Sequence, residues 1–163
     1  MSVVGMNHAV LYVRDAHRTA EFYERLLDFR RVIDDEGGRW VFLRAPGSTN
    51  HHDLALFTVG DLEPSAAGTR TVGLYHIAWE VGSLSELAQI RDRLVAEGAY
   101  VGASDHGANK SVYAKDPDGL EFEVMWLVPP ELWGDEEHEA IIRPLNIEAE
   151  QRRFADIVSR DRG

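Results

Sequence analysis

Cysteine is absent from the 163 residues, which removes disulfide scaffolds, thiolate zinc sites, iron–sulfur clusters and cysteine nucleophiles. Positive charge is scarce: 17 Lys and Arg stand against 28 Asp and Glu, a formal net charge of -11 at pH 7. Nucleic acid and anionic membrane both need a basic footprint, so neither is expected as a partner. No apolar run approaches the length of a membrane span. Met1 to Gly5 carries no basic stretch leading into an apolar one, so no secretory signal is expected and the cytoplasm is the expected location. The 44% apolar and 28% charged residues that remain are ordinary for a globular protein, and the length suits a core that needs no staples.

The chain repeats itself. Asn7 to Val13 reads as a short strand, followed by Asp15 and an amphipathic stretch to Leu27. Tyr75 to Val81 reads as a second strand, followed by Ser83 and an amphipathic stretch to Val95. A shift of 68 positions lays His8 on His76, Val13 on Val81, Asp15 on Ser83 and Leu26 on Leu94. Asp15 can cap the first helix, and Ser83 with Glu86 has capping-box spacing for the second. Leu84, Leu87 and Leu94 share a face of that helix with Arg91, which must snorkel or lie at its edge, and Gly98 is a left-handed stop. Three strand-like runs follow each helix. They are Arg30–Asp34, Arg39–Arg44 and His52–Thr58 with a Gly37-Gly38 turn, then Tyr100–Ser104, Ser111–Lys115 and Leu120–Val128 with an Asp116-Pro-Asp-Gly119 turn.

Each half therefore reads βαβββ, and the predicted fold class is α+β: two tandem modules forming a cupped, barrel-like mixed sheet. The modules are placed at 1–59 and 72–128, joined by a Gly, Pro, Ala and Ser-rich linker at 60–71. Residues 129–163 form a helical extension in which Ile147, Gln151, Phe154 and Val158 line one face. That face must be buried on the domain or on a second subunit. A homodimer is expected.

Seven histidines are present. His17 and His138 are expected at solvated surface. His51 and His52, adjacent in a strand, would point to opposite faces. His8 and His76 are related by the repeat, and His52 and Glu123 fall on the last strands of the two halves as approximate repeat mates. His8, His52, His76 and Glu123 could thus converge inside the cup. Two neutral imidazoles and a carboxylate leave open positions on a divalent ion, the arrangement favoured for non-haem Fe(II) enzymes, although Mn, Zn or Ni would accept the same donors. Trp40, Phe42, Phe57, Trp79, Phe122 and Trp126 alternate along strands and serve either as core or as the wall of an apolar pocket.

The paired βαβββ pattern, the strand His in each half and the run Asp116-Pro-Asp-Gly-Leu-Glu-Phe-Glu123 resemble the vicinal oxygen chelate superfamily. That group includes glyoxalases, fosfomycin- and bleomycin-resistance proteins, methylmalonyl-CoA epimerases and extradiol ring-cleaving dioxygenases. The resemblance covers residues 5 to 128. His51-His-Asp-Leu-Ala-Leu56, Asp105-His-Gly-Ala-Asn-Lys-Ser-Val-Tyr113 and the ten-residue step from Tyr113 to Glu123 are most similar to the single-domain extradiol, catechol-type dioxygenases. The resemblance implies that His8, His76 and Glu123 hold Fe(II) while a small aromatic diol and dioxygen bind as substrates. His52 would stabilise bound oxygen and shuttle a proton, or else act as a fourth ligand. His106 and Tyr113 would assist proton movement, or be a surface turn residue and a pocket wall. Glu121 shares a face with Glu123 without a motif of its own. Three other classes compete with this one: a glyoxalase- or epimerase-type lyase or isomerase, a thiol-transferring resistance enzyme, for which the sequence offers no basic cluster to hold a phosphonate, and a metal-free binding protein of resistance type.

Overall fold

The structure, a computed structural model, describes residues 2–66 and 71–155. The chain divides into two compact units, Met1–Ser65 with Pro117–Gly119, and Ala66–Asp116 with Leu120–Gly163. The first holds β1 (Ala9–Val13), α1 (Ala16–Leu27), β2 (Arg30–Asp34), β3 (Trp40–Arg44) and β4 (Leu54–Thr58). The second holds β5 (His76–Val81), α2 (Leu84–Glu97), β6 (Tyr100–Asp105), β7 (Asn109–Lys115) and β8 (Glu121–Leu127), then β9 (Arg143–Pro144) and α3 (Ile147–Arg153). The α+β class and the double βαβββ order are those the sequence predicts. The strands lie in two mixed sheets, one of four in the order β1-β4-β3-β2 and one of five in the order β5-β8-β7-β6-β9, and neither is a closed barrel. In each sheet the two strands that start and end the module run parallel, β1 with β4 and β5 with β8.

Local chemistry accounts for both helices. The Asp15 carboxylate accepts from the Arg18 amide at 3.0 Å, and the Ser83 hydroxyl accepts from the Glu86 amide at 3.2 Å. Gly98 ends α2 at φ 76°, a left-handed conformation that glycine adopts without a Cβ penalty. In the first unit α1 buries Ala16, Ala20, Tyr23 and Leu27, and the sheet buries Val41, Leu43, Leu54 and Leu56. In the second, Leu84, Leu87 and Leu94 of α2 are buried, as are Val112, Ala114, Phe122 and Val124 of β7 and β8. Alternation along the strands then directs His76, Glu121, Glu123, Ser111 and Tyr113 to the opposite face of the second sheet.

Several expectations change. His8 and His52 both stand just outside strands, because β1 begins at Ala9 and β4 at Leu54. His51 and His52 do not diverge as strand neighbours would. They share a loop, with their Nδ1 atoms 3.0 Å apart. The register also replaces the repeat mate of Glu123. Glu123 faces Ala78, two residues after His76, and Ala55 faces Val10, two residues after His8. Ala55 is thus the mate at the same offset of 68 positions, with no insertion, and His52 is not. His17 is held rather than freely solvated, with Nε2 2.8 Å from Asp34 Oδ1, whereas His138 is exposed.

The tail docks within the second unit. Ile147 is 2% exposed, the Phe154 ring lies 5.2 Å from that of Trp126, and the Gln151 amide nitrogen reaches the Leu84 carbonyl at 3.5 Å. Arg91 resolves its place on an apolar face by reaching Glu148 of α3 at 2.8 Å. The fourth residue of the predicted stripe, Val158, lies outside the described residues. Strand β9 has no counterpart in the sequence reading.

Candidate functional site

The polar face of the second sheet gathers four of the residues singled out from the sequence. His76, the first residue of β5, points Nε2 at Glu123 Oε2, 3.0 Å away. Glu123 is 7% exposed, and its other oxygen, Oε1, accepts the Ser111 hydroxyl in a short hydrogen bond and the Asn109 amide at 3.5 Å. Asn109 also donates to the Ser111 hydroxyl at 2.7 Å. Ser111 and Asn109 therefore aim the carboxylate, and the sequence reading passed over both. Their signal was period-two spacing, since 109, 111 and 113 share one face of β7.

Tyr113 sits opposite Glu123 in the β7–β8 register, and its ring centre lies 5.8 Å from that of His76. Burial, followed by the nearby Glu123 carboxylate, pushes the Tyr113 phenol above its ordinary value, so the hydroxyl keeps its proton. His106 accompanies it, with Nε2 2.8 Å from the Tyr113 hydroxyl and Nδ1 2.7 Å from the Ile141 carbonyl. It is not a surface turn residue. Glu121 shares this face as the register partner of His76, and its hydrogen bond to Tyr75 raises that phenol.

His8 and His52 belong to the first unit. Their rings are 4.4 Å apart, and Phe42 lies 4.8 Å from His52. Burial, and then the neighbouring imidazoles of His8 and His51, hold the His52 imidazole below its ordinary value. His8 Nδ1 faces the Asn7 side-chain oxygen at 2.8 Å, which makes Nδ1 the donor and leaves Nε2 as the lone-pair nitrogen. Of the six aromatic residues considered, Phe122 and Trp126 are core, while Trp40, Phe42 and Phe57 form a half-buried cluster in the first unit.

The donors present fit a divalent ion in part. An imidazole nitrogen and a carboxylate oxygen converge on one point, and the carboxylate is oriented by hydroxyl and amide donors, as ligating carboxylates are. The buried His76 Nδ1 has no hydrogen-bond partner among the described residues, whereas a ligating imidazole usually donates its second N–H. Among the described residues no three His, Cys, Asp or Glu side chains form a ready ligand group. The second unit therefore offers two donors.

The family model of the Glyoxalase/Bleomycin resistance protein/Dioxygenase superfamily matches residues 5–124. A catechol-2,3-dioxygenase of Bacillus subtilis (strain 168) is 28% identical over 131 residues, 78% of this chain and 43% of that protein. The chain thus spans less than half the length of this curated relative. A glyoxylase/bleomycin resistance protein/dioxygenase domain from Frankia sp. EAN1pec superposes with a TM-score of 0.64 at 22% identity, over 78% of this chain and 100% of the other. A mutant fosfomycin resistance protein from Listeria monocytogenes, complexed with Mn(II), superposes with a TM-score of 0.60 at 21% identity, over 84% of this chain and 100% of the other. At such identities the structural likeness speaks for the fold.

Proposed function

Because the chain belongs to the glyoxalase/bleomycin resistance protein/dioxygenase superfamily, we propose that it is an Fe(II)-dependent extradiol dioxygenase that opens the ring of a small aromatic vicinal diol. The observation that carries this reading is the Tyr113–His106 pair, hydrogen-bonded at 2.8 Å, on the same face as the His76–Glu123 donors. A site that only bound metal and ligand would have no use for a half-buried phenol hydrogen-bonded to an imidazole.

In this reading His76 and Glu123 hold the ion, and only the sequence repeat names His8 as a further ligand. Bound there, Fe(II) would supply positions for diol and dioxygen and a path for electrons between them. The protein's own part is proton handling. The Tyr113 hydroxyl donates to His106 Nε2, so its oxygen keeps lone pairs with which to accept from a diol hydroxyl. A proton leaving the diol passes to the Tyr113 oxygen as the phenol proton moves to His106, and the imidazolium so formed keeps its Nδ1–H on the Ile141 carbonyl. Ser111 and Asn109 hold Glu123 in place as charge shifts in the site. His52 is a second proton carrier in this reading. Manganese, zinc or nickel would accept the same ligands. A homodimer in the cytoplasm completes the proposal.

The test is anaerobic reconstitution with Fe(II), then air and a panel of catechols including 2,3-dihydroxybiphenyl, read by the yellow ring-fission product and oxygen uptake. Activity is expected in the unaltered chain and none in His76→Ala or Glu123→Ala. Tyr113→Phe is expected to lower kcat about 100-fold, within the range for a lost general acid–base group. Iron bound without oxygen uptake overturns the reading and directs the assay to hemithioacetals and acyl-CoA substrates. No metal bound at all makes the protein a metal-free binder.

A further inference from the structure

His106 has two ring nitrogens, and which one carries the proton decides whether it can accept from Tyr113. The partner 2.7 Å from Nδ1 is the Ile141 backbone carbonyl, which can only accept. The proton of the neutral ring is therefore on Nδ1, and Nε2 is left as the acceptor for the Tyr113 hydroxyl. That carbonyl belongs to the tail beyond the second module, 35 residues from His106.

The delivery of the carbonyl is elaborate for a surface tail. Strand β9 pairs Arg143 with Asp105 and Pro144 with Ser104, which lays the tail along the strand leading into His106. The Arg143 guanidinium bonds Asp105 at 3.1 Å and Glu136 at 3.0 Å. Lys110, 0% exposed, closes the other side of the turn through Asp105 and, at 3.1 Å, the Gly107 carbonyl, and it also meets Glu150 of α3 at 3.4 Å. Gly107 has φ 76°, and a Cβ there would stand 3.0 Å from both Glu136 Oε2 and Ile141 Cδ1. The glycine is what lets the tail approach.

We propose that the tail segment 136–143 is a positioning element for the reaction, whose Ile141 carbonyl fixes His106 as the Nδ1–H tautomer and so keeps Nε2 open to Tyr113. The proposal rests on the ring-cleavage reading for its purpose, although the tautomer itself is independent of metal and substrate. It makes Arg143 and Gly107 positioning residues that touch neither metal nor diol.

The experiment is a two-bond ¹H–¹⁵N correlation of the imidazoles in the full chain at pH 8, above the ordinary His value of about 6.5. His106→Gln identifies the His106 signals. The expected result is the Nδ1–H tautomer, kept in Tyr113→Phe and replaced by a mixture of tautomers in Arg143→Ala and Gly107→Ala. Nε2–H or a mixture in the unaltered chain overturns the proposal, as does a change of tautomer in Tyr113→Phe or an unchanged tautomer in Arg143→Ala. Should the tail variants fail to fold, the unaltered chain and Tyr113→Phe still decide it. With iron and a cleaved catechol, Arg143→Ala is expected to lower kcat about tenfold and leave KM within about twofold, as loss of an outer hydrogen-bonding partner does. A correct tautomer with no ring cleavage defeats the dioxygenase reading alone, and a wrong tautomer with ring cleavage defeats this proposal alone.

Discussion

At the residue scale, the second unit commits charge to its interior for the sake of one turn. Lys110 is wholly buried and depends on Asp105. Burial works to raise the Asp105 carboxyl, but bonds from Lys110, the Gly107 amide and Arg143 outweigh it and hold it below its ordinary value of 3.8. A carboxyl lowered on folding contributes stability that is complete above its unfolded value and is lost as the pH falls through the folded one. Asp105→Asn is therefore expected to cost about 3 kcal/mol at pH 7, because it leaves a buried ammonium short of its main partner. Urea unfolding should show this difference and should show it shrinking as the pH falls below the ordinary carboxyl value and through the lowered folded one. A difference that does not depend on pH would mean that packing, and not the ion pair, holds the turn.

At the element scale, the two helices begin alike because Asp15 and Ser83 occupy one repeat position, and each side chain accepts from an amide of the first turn. Asp15→Ala and Ser83→Ala are each expected to cost about 1 kcal/mol by urea unfolding. Such caps were legible from sequence because they join residues three apart. Strand β9 was not, since two residues, one of them proline, carry no alternation. The loop placement of His51 and His52 was equally hidden. Their sequence continues into β4 without a break residue, and the strand starts only where Leu54 pairs with Ala9. Asp53 explains the early loop, since its carboxylate takes the Ala45 amide at 2.9 Å and the Ser48 hydroxyl at 2.7 Å.

At the scale of the whole molecule, a bound ion should be visible as stability. A ligand that binds only the native state, at a hundredfold excess over its Kd, adds about 2.7 kcal/mol. For a chain of this length that is a rise in Tm of roughly 5–10 °C. Mn(II), which is stable in air, is expected to produce such a rise in the unaltered chain, a chelator to reverse it, and His76→Ala or Glu123→Ala to abolish it. A rise that survives both substitutions would place the ion elsewhere. Among the described residues no helix is long and apolar enough to cross a membrane.

Sequence alone determined the order of elements within each half, because that order depends on neighbours a few positions apart: caps, period-two alternation, turn glycines. It also singled out His76, Glu123, Tyr113 and His106, which the second unit gathers on one sheet and its adjoining turn. Tertiary structure decided what those residues meet. Strand register made Ala55 the counterpart of Glu123, and the face shared along β7 turned Ser111 and Asn109 into its partners. The tautomer of His106 was beyond any sequence signal. Every residue carries a backbone carbonyl, and only the path of the tail decides that the one at Ile141 lies against the ring.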